Sequence, residues 1–495
     1  MLFNSIAYLI YFPIVVAVYF MTPAKYRYIW LLISSYYFYM SWSPKYAILM
    51  LFSTLVTYLS GVLIQRSNLK ENLKKKEFEK KLWVALSFTI NLAILFFFKY
   101  FNFINESFTS VFNHFGVNWW VPNFDVLLPV GISFYTFQAL SYTMDVYRED
   151  IKAEHNFSKY ALFVSFFPQL VAGPIEKSTH LLPQLSKHYK FNYERMKEGL
   201  ILIGWGLFKK IVIADRLAAF VNTVYNNPDQ FEGFTLAIAT VFFAFQIYCD
   251  FSSYSDIAIG SAKVMGFDLM ENFRRPYFSK SVAEFWRRWH ISLGGWFRDY
   301  LYFPLGGNRV KKIIWYRNIM IVFLLSGLWH GASWNFVIWG VLHGIFQVLS
   351  FEFSKFNKGI GKFLKIRRDS FSYKLYHVII TFILVDFAWI FFRANNFTDT
   401  KYILTHLFKF NPWVFFDGSL YNIGLDEYDF KLAILSILFL LFIDLVQRKY
   451  RLSDWIKKQH IFVRWSTYSF VIFFMIIFGY YGSGYDATQF IYFQF

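Results

Sequence analysis

The residue best placed for acid–base chemistry is His330, in the segment LSGLWHGASWN (Leu325–Asn335) between two apolar helices. An imidazole exchanges a proton near neutral pH, which is the requirement for a general base. Ionisable groups at membrane depth are costly and usually have a function. Trp329 and Asn335 flank His330 and are candidate substrate-binding or donor-binding residues. The alternative is a core histidine bonded to a backbone carbonyl, and the residues alone leave both interpretations open.

A second histidine, His290, closes the segment EFWRRWH. It is preceded by four candidate donor-binding residues: Trp286, Arg287, Arg288 and Trp289. One interpretation is an interfacial anchor whose arginine head groups extend to water. The other is that the arginine pair and the histidine line the inner mouth of a tunnel for an anionic donor.

Carboxylates and hydroxyls follow an apolar run in QIYCDFSSYSD (Gln246–Asp256). If the helix continues, Asp250 shares a face with Ser253 or Tyr254. Together with Asp256, these side chains are candidates for orienting a histidine or for hydrogen bonding to a hydroxyl acceptor. The alternative is a buried polar network that braces the fold.

Other chemistries are disfavoured by the motifs that the chain lacks. The single cysteine, Cys249, excludes an internal disulfide and a cysteine metal cluster. His290, His330 and His343 have no chelating spacing such as HExxH, so we expect no metal site and no bound cofactor. There is no nucleophile elbow for a serine triad. His343 lies between glycines that allow close helix packing and is interpreted as structural.

The composition indicates that membrane helices position these residues. The 495 residues are 56% hydrophobic and 24% aromatic but only 17% charged, whereas a soluble domain carries about a quarter charged residues. The net charge of +18 gathers in loops between apolar segments. This is the positive-inside pattern of a membrane protein and does not indicate nucleic-acid binding.

A transmembrane helix needs about 20 mostly apolar residues. The clear candidates are Ser5–Met21, Tyr46–Ile64, Leu82–Phe101, Tyr160–Val171, Gly199–Tyr225, Thr235–Cys249, Ile313–Trp329, Ser333–Ser350, Tyr376–Phe392, Lys431–Val446 and Trp465–Tyr481. Tyr28–Trp42 and Phe124–Met144 are shorter or more polar, so they lie in the interface, re-enter, or are buried by other helices. Prolines in Phe167–Glu176 predict a helix break. The sequence predicts an all-α polytopic membrane protein with about 11–13 membrane segments, re-entrant helices included.

Basic loops predict the orientation of the chain. Arg66–Lys81, Lys355–Lys374 and Arg448–Arg464 are rich in lysine and arginine and should face the cytoplasm. The acidic connection Ala394–Phe430 should then be an extracytoplasmic loop. This orientation places His330 at the far end of a hairpin that is entered from the cytoplasm.

Three motifs resemble a known family. The blocks WRRWHISL, PLGGNR and GLWHGA occur at Trp286–Leu293, Pro304–Arg309 and Gly327–Ala332. They resemble the membrane-bound O-acyltransferase superfamily, in particular its bacterial branch with the alginate and peptidoglycan O-acetyltransferase membrane proteins. The resemblance runs over nearly the whole chain. It implies a single membrane-embedded domain (1–495), a catalytic core in 246–345, and a ring of helices around a thinned centre.

The resemblance also implies a mechanism. His330 matches the family's catalytic histidine, and His290 matches its second signature histidine. The acyl donor, a thioester of coenzyme A or of an acyl carrier protein, would arrive from the cytoplasm. The acceptor hydroxyl would lie outside, on a polysaccharide or on a lipase-like (SGNH-type) acetyltransferase partner. The implied location is the bacterial cytoplasmic membrane, with multiple passes.

Two other functions stay open at this point. One is the D-alanyl transfer to teichoic acid carried out by a sister branch, although this chain has additional helices after Tyr376. The other is a non-enzymatic transporter of a lipid-linked sugar, which would also need a wet polar centre. Inverted repeats or paired broken helices would favour the transporter, and the sequence contains neither.

Overall fold

The structure is a computed structural model that describes residues 1–125, 127–363, 367–448, 452–481 and 490–491, with the backbone alone at 354–363 and 452–454. Its regular structure is helical and the described residues contain no strand, which confirms the all-α prediction. The residues cluster into two compact units. The first comprises Met1–Leu200 and Ala258–Met270, and the second comprises Ile201–Ile257 and Glu271–Phe495.

The first unit is formed by the N-terminal helices. These are α1 (Ile6–Met21), α2 (Arg27–Met40), α3 (Pro44–Ser67), α4 (Leu73–Leu95), α5 (Phe101–His114), α6 (Ile132–Tyr147), α7 (Phe157–Ser165), α8 (Phe167–Leu170) and α9 (Ser178–Leu185). A 3₁₀ turn at Ala24–Tyr26 precedes α2, and a π-helical segment at Phe96–Tyr100 joins α4 to α5.

Helix α10 (Tyr193–Phe208) leads into the second unit. The helices that follow are α11 (Asp215–Asn226), α12 (Phe234–Met265), α13 (Val282–Trp286), α14 (Ile291–Phe297), α15 (Lys312–His330), α16 (Trp334–Phe363), α17 (Phe371–Arg393), α18 (Phe397–His406), α19 (Glu427–Val446), α20 (Leu452–Lys457) and α21 (Ile461–Phe478). Two π-helical segments interrupt the series, at Lys209–Ala214 and Arg298–Tyr302. Short 3₁₀ turns occur at Pro228–Gln230, Pro276–Phe278, Pro412–Phe415 and Ser419–Asn422.

Seven helical stretches in the described residues are long and apolar enough to cross a membrane. They are Pro44–Ser67, Leu73–His114, Phe234–Met265, Lys312–His330, Trp334–Phe353, Phe371–Arg393 and Ile461–Phe478. Several apolar side chains of the last stretch, such as Phe470 and Ile477, are exposed on the protein surface, as expected of a helix that faces lipid. The polytopic membrane prediction is confirmed, while the larger number of segments and the re-entrant helices stay predictions.

The membrane helix predicted over Tyr160–Val171 is wrong. Helix α7 ends at Ser165, Phe166 has an extended ψ of 110°, and Pro168 lies in the first turn of the four-residue α8. Proline lacks a backbone N–H and its ring clashes with the carbonyl of the residue four positions earlier, so Pro168 fits the first turn of a new helix but not a continuation of α7. The nine residues of α7 rise only about 14 Å, too little to cross a bilayer core of about 30 Å. The predicted helix break is confirmed.

The segment predicted at Phe124–Met144 is covered by other helices. Its helical part, α6, is buried from Ile132 to Thr143 and packs against α3 and α4. Gly131 precedes α6 with a φ of +73°, and a Cβ there would lie 2.6 Å from the Leu170 carbonyl oxygen. For α6, burial within the protein is observed, whereas Phe124 and Leu127 at the start of the predicted segment are exposed.

Helices α15 and α16 form a closely packed hairpin. A Cβ on Gly327 would overlap the carbonyl oxygen of Phe336, and one on Gly340 would overlap the carbonyl oxygen of Phe323. Small residues of this kind let two helix backbones approach within membranes. The hairpin ends at His330, where Gly331 adopts an extended conformation and terminates α15.

Candidate active site

His330 lies inside the protein among aromatic rings. It is the last residue of α15 and is 3% exposed. The ring centroids of Trp329, Trp339 and Phe392 lie 5.0, 5.1 and 5.3 Å from its own. Such surroundings limit access of bulk water to the imidazole, so a proton transferred there would pass between a few defined groups.

His290 lies beside His330, with 6.2 Å between the two ring centroids. It is 1% exposed and precedes α14 with a φ of 44°, in the left-handed region that non-glycine residues rarely adopt. The Phe251 ring packs edge-on against it at 4.7 Å. Two histidines from separate sequence motifs are therefore brought together, and the strained backbone at one of them is typical of functional sites.

Asn272 holds His290 and the start of α14 in place. Its backbone carbonyl accepts a hydrogen bond from the Ile291 N–H at 2.9 Å. Its side-chain Oδ1 lies 3.1 Å from His290 Nδ1 and accepts from the Ser292 hydroxyl at 2.9 Å. Its Nδ2 donates to the Ser255 hydroxyl at 3.1 Å. No sequence motif indicates Asn272 as a site residue, and its side chain is 1% exposed.

These contacts define the tautomer of His290. The backbone N–H of Ser292 also points to the Asn272 oxygen, at 3.3 Å, and a backbone N–H can only donate. The atom that faces His290 is therefore an acceptor, and Nδ1 must carry the ring proton. Nε2 is left as the basic nitrogen of this imidazole.

The two tryptophans predicted to bind a donor contact other protein groups. Trp286 Nε1 donates to His343 Nδ1 at 3.2 Å, which accounts for His343 as a structural residue. Trp289 is 1% exposed and stacks on Phe285 at 5.4 Å and near Trp389 at 5.1 Å. The donor-binding roles of Trp286 and Trp289 stay predictions.

The arginine pair splits into two environments. Arg288 forms an ion pair with Glu284 at 2.5 Å, one helical turn earlier. Arg287 is exposed and forms no ion pair with any described residue. Of the two, Arg287 has the charge that remains available to an anionic ligand.

The carboxylates of α12 are paired with lysines. Lys210 Nζ lies 2.7 Å from Asp215 and 2.8 Å from Asp250, and all three side chains are almost fully buried. Lys209 lies 2.8 Å from Asp256. The π-helical turn at Lys209–Ala214 directs these consecutive lysines toward the same helix. A buried polar network is thus observed at Asp250 and Asp256, and their proposed roles toward the donor stay untested.

Part of the C-terminal tail packs into this network. Phe490 is fully buried and stacks on Tyr254 at 3.8 Å between ring centroids, while the Ile491 N–H donates to Asp250 Oδ2 at 2.8 Å. These two residues therefore pack inside the second unit, against α12. The remainder of Gly482–Phe495 lies outside the described residues.

The other predicted site residues have local partners. Ser253 donates to the Asp250 carbonyl at 2.6 Å within α12, and Asn335 Nδ2 donates to the Ala394 carbonyl at 3.0 Å. Asn335 Oδ1 is buried and has no hydrogen-bond partner among the described residues. The Trp329 ring lies 5.7 Å from that of His290 and so contacts both histidines. Across the described residues, no group of three or more His, Cys, Asp or Glu side chains is arranged to hold a metal ion.

Fold and site define an integral membrane protein with a pair of buried histidines. The profile of the MBOAT, membrane-bound O-acyltransferase family matches residues 148–359, which include both histidines. A "Probable alginate O-acetylase AlgI" of Pseudomonas aeruginosa is 38% identical over 416 residues, covering 83% of this chain and 76% of the relative. A peptidoglycan O-acetyltransferase of Helicobacter pylori is 35% identical, covering 77% of this chain and 74% of the relative.

A more distant relative is a teichoic acid D-alanyltransferase of Bacillus subtilis, 28% identical over 288 residues, which covers 56% of this chain and 71% of the relative. The chain belongs to the membrane-bound O-acyltransferase family. It is a membrane O-acyltransferase, an enzyme that takes an acyl donor as substrate.

Proposed function

We propose that this enzyme moves an acetyl group from a cytoplasmic thioester to a hydroxyl outside the bacterial cytoplasmic membrane. The observation that carries the proposal is the buried pair of His330 and His290, with 6.2 Å between ring centroids, one ring held in a defined tautomer. The names of the alginate and peptidoglycan relatives support acetyl as the group transferred.

In the proposed reaction His330 is the general base. It removes the proton of the acceptor hydroxyl as the oxygen attacks the thioester carbonyl, and the carbon–sulfur bond then breaks. The proton on His330 passes to the departing sulfur, so the products are an O-acetyl ester and a free thiol. The aromatic surroundings of His330 exclude water, which would otherwise hydrolyse the thioester.

His290 contributes through Nε2, because Nδ1 donates to Asn272. It is placed to hydrogen bond to the reacting groups beside His330. Arg287, exposed and without an ion pair among the described residues, would attract the anionic donor, either acetyl-coenzyme A or an acyl carrier protein.

The acceptor is proposed to be an envelope polysaccharide, reached directly or through an extracytoplasmic lipase-like (SGNH-type) acetyltransferase. Because one relative is a teichoic acid D-alanyltransferase, an aminoacyl ester is a second candidate product. Both products are base-labile esters, so one assay separates them by the acid that is released.

The test measures base-labile acetate and alanine in purified cell envelopes. Strains carry the wild type, His330→Ala, His290→Ala, or a deletion, at matched membrane abundance. The exposed His114 provides a matched control, His114→Ala, which removes a histidine away from the site. We expect acetate to fall to the deletion level with His330→Ala and to stay at the wild-type level with His114→Ala.

Two results would contradict the proposal. Wild-type acetate in the His330→Ala strain would remove the general-base assignment from His330 and transfer it to another residue of the enzyme. Release of alanine in place of acetate would show that the transferred group is D-alanyl, with His330 still assigned as the general base.

A further inference from the structure

The first unit contains a cavity of about 310 Å³. It lies between the turn that joins α1 to α2, the start of α7, and the end of α9. Neither histidine is among its lining residues, and the proposed acyl-transfer mechanism gives the cavity no role.

Four cationic side chains line this cavity: Lys25, Arg27, Lys159 and Lys187. No aspartate or glutamate is among the lining residues. Within the part of the chain that the structure describes, none of the four forms an ion pair, although lysines and arginines elsewhere on the surface commonly do. The cavity lining therefore has a concentrated positive charge, and the nearby Glu154 carboxylate accepts a hydrogen bond from the Asn156 N–H at 2.8 Å and does not line the cavity.

Two of the cations are held in fixed positions. Arg27 donates to the backbone carbonyls of Thr22 at 3.0 Å and of Phe20 at 3.2 Å, and its guanidinium lies 5.0 Å from the Tyr19 ring centroid. Carbonyl oxygens orient the guanidinium but do not neutralise its charge.

Lys159 is held in the same way. Its Nζ donates to the Ser186 hydroxyl at 3.2 Å and lies 5.6 Å from the Tyr28 ring centroid. With Arg27 it forms a preorganised cationic wall, while Lys25 and Lys187 are exposed at the rim and are able to move onto a ligand.

We propose that this cavity binds a phosphate group, carried either by an anionic phospholipid or by a soluble phosphate ester. Phosphate oxygens accept several charge-assisted hydrogen bonds at once, which suits a cluster of arginine and lysine donors. The volume is at the lower end of the range of about 300–1,000 Å³ for small-ligand sites, so it fits a head group and not a whole cofactor.

The position of the cavity in the fold makes it accessible both to phospholipid head groups and to soluble phosphate esters. The cavity lies where α1 ends and α2 begins. Its lining residue Asn156 follows Ala153, whose backbone N–H donates to Gln65 at the end of α3, next to the basic loop Arg66–Lys81 that is predicted to face the cytoplasm. The inner leaflet presents anionic head groups at that level. Ile29 and Ile33 on α2 are exposed and would contact the acyl chains of a bound lipid.

The test uses full-length protein in detergent and compares two charge-matched double variants. Lys25→Gln/Lys187→Gln removes the rim cations of the cavity, and Lys74→Gln/Lys81→Gln removes two exposed lysines elsewhere. Binding of dihexanoyl phosphatidylglycerol, dihexanoyl phosphatidylcholine and glycerol 3-phosphate is measured by thermophoresis of labelled protein. No readout depends on acyl transfer, so the outcome is independent of the proposed function.

We expect the cavity variant to bind its phosphate ligand at least tenfold more weakly than the wild type, and the control variant to bind within twofold. Binding of phosphatidylglycerol alone would identify a lipid head group as the source. Binding of glycerol 3-phosphate alone would identify a soluble phosphate ester. Equal losses in the two variants, equal affinity for phosphatidylcholine and phosphatidylglycerol, or no binding of either anionic ligand would overturn the proposal.

Discussion

Replacing Asn272 with alanine removes the side-chain contacts that orient His290. The ring loses the acceptor 3.1 Å from Nδ1, and Ser255 and Ser292 each lose a partner. Only the backbone bond between the residue 272 carbonyl and the Ile291 N–H remains. The imidazole can then rotate or adopt the other tautomer. In a fraction of the molecules Nε2 therefore no longer faces the reacting groups.

The size of the effect follows from the hydrogen bond that is lost. Leaving a buried donor without its acceptor costs about 1–3 kcal/mol. If the reaction must restore the original orientation at that cost, the rate falls roughly 5- to 150-fold, since about 1.36 kcal/mol is a factor of ten. Asn272→Asp keeps an acceptor for Nδ1, and the Ser255 hydroxyl can rotate to donate in place of accepting. We therefore expect this variant to retain most of the activity.

The assay follows labelled acetate into base-labile envelope esters over the first minutes, at matched enzyme abundance. The melting temperature of each purified variant separates a loss of rate from a loss of fold. A wild-type rate in a folded Asn272→Ala protein would refute the positioning role. Equal losses in the alanine and aspartate variants would refute the tautomer argument.

Two further predictions concern stability. Lys210→Met leaves the buried carboxylates of Asp215 and Asp250 without their cation, so we expect a loss of about 3–5 kcal/mol in the free energy of unfolding. Thermal unfolding in detergent measures this loss. An unchanged melting temperature would contradict the stabilising role of the ion pairs. The hydrogen bond to the Glu176 carboxylate raises the pKa of His180 above its usual 6.5. The bond thus favours the protonated ring, so its stabilisation is full below pH 6.5 and is lost as the pH rises through the raised pKa. The melting-temperature difference between wild type and His180→Gln should therefore shrink from pH 6 to pH 9, and a constant difference would exclude this linkage.

The hairpin around His330 could be predicted because its signals are local. Apolar runs on both sides and the glycines near the turn give the helices and their packing without knowledge of distant residues. The error at Tyr160–Val171 also has a local cause, because the apolar run continues across Pro168, where a new helix begins.

The partners of the site residues could not be predicted because they are distant in sequence. Lys210 lies inside a run that was predicted only as a membrane helix, and its carboxylate partner Asp250 is 40 positions later. Nothing in the sequence indicates a π-helical turn at Lys209. Asn272 contacts the His290 ring because His290 adopts a left-handed backbone conformation. The presence of a histidine in the sequence does not predict that conformation.

The single acceptor on Asn272 has a consequence for proton traffic. A histidine relays a proton by taking it up at one ring nitrogen and releasing it from the other. The Nδ1 proton of His290 is committed to an amide oxygen, and that oxygen has no proton to exchange in return. His290 can therefore accept a proton at Nε2 but cannot pass a proton on from Nδ1. A proton taken up at Nε2 of His290 is therefore returned from the same nitrogen to the groups that face it.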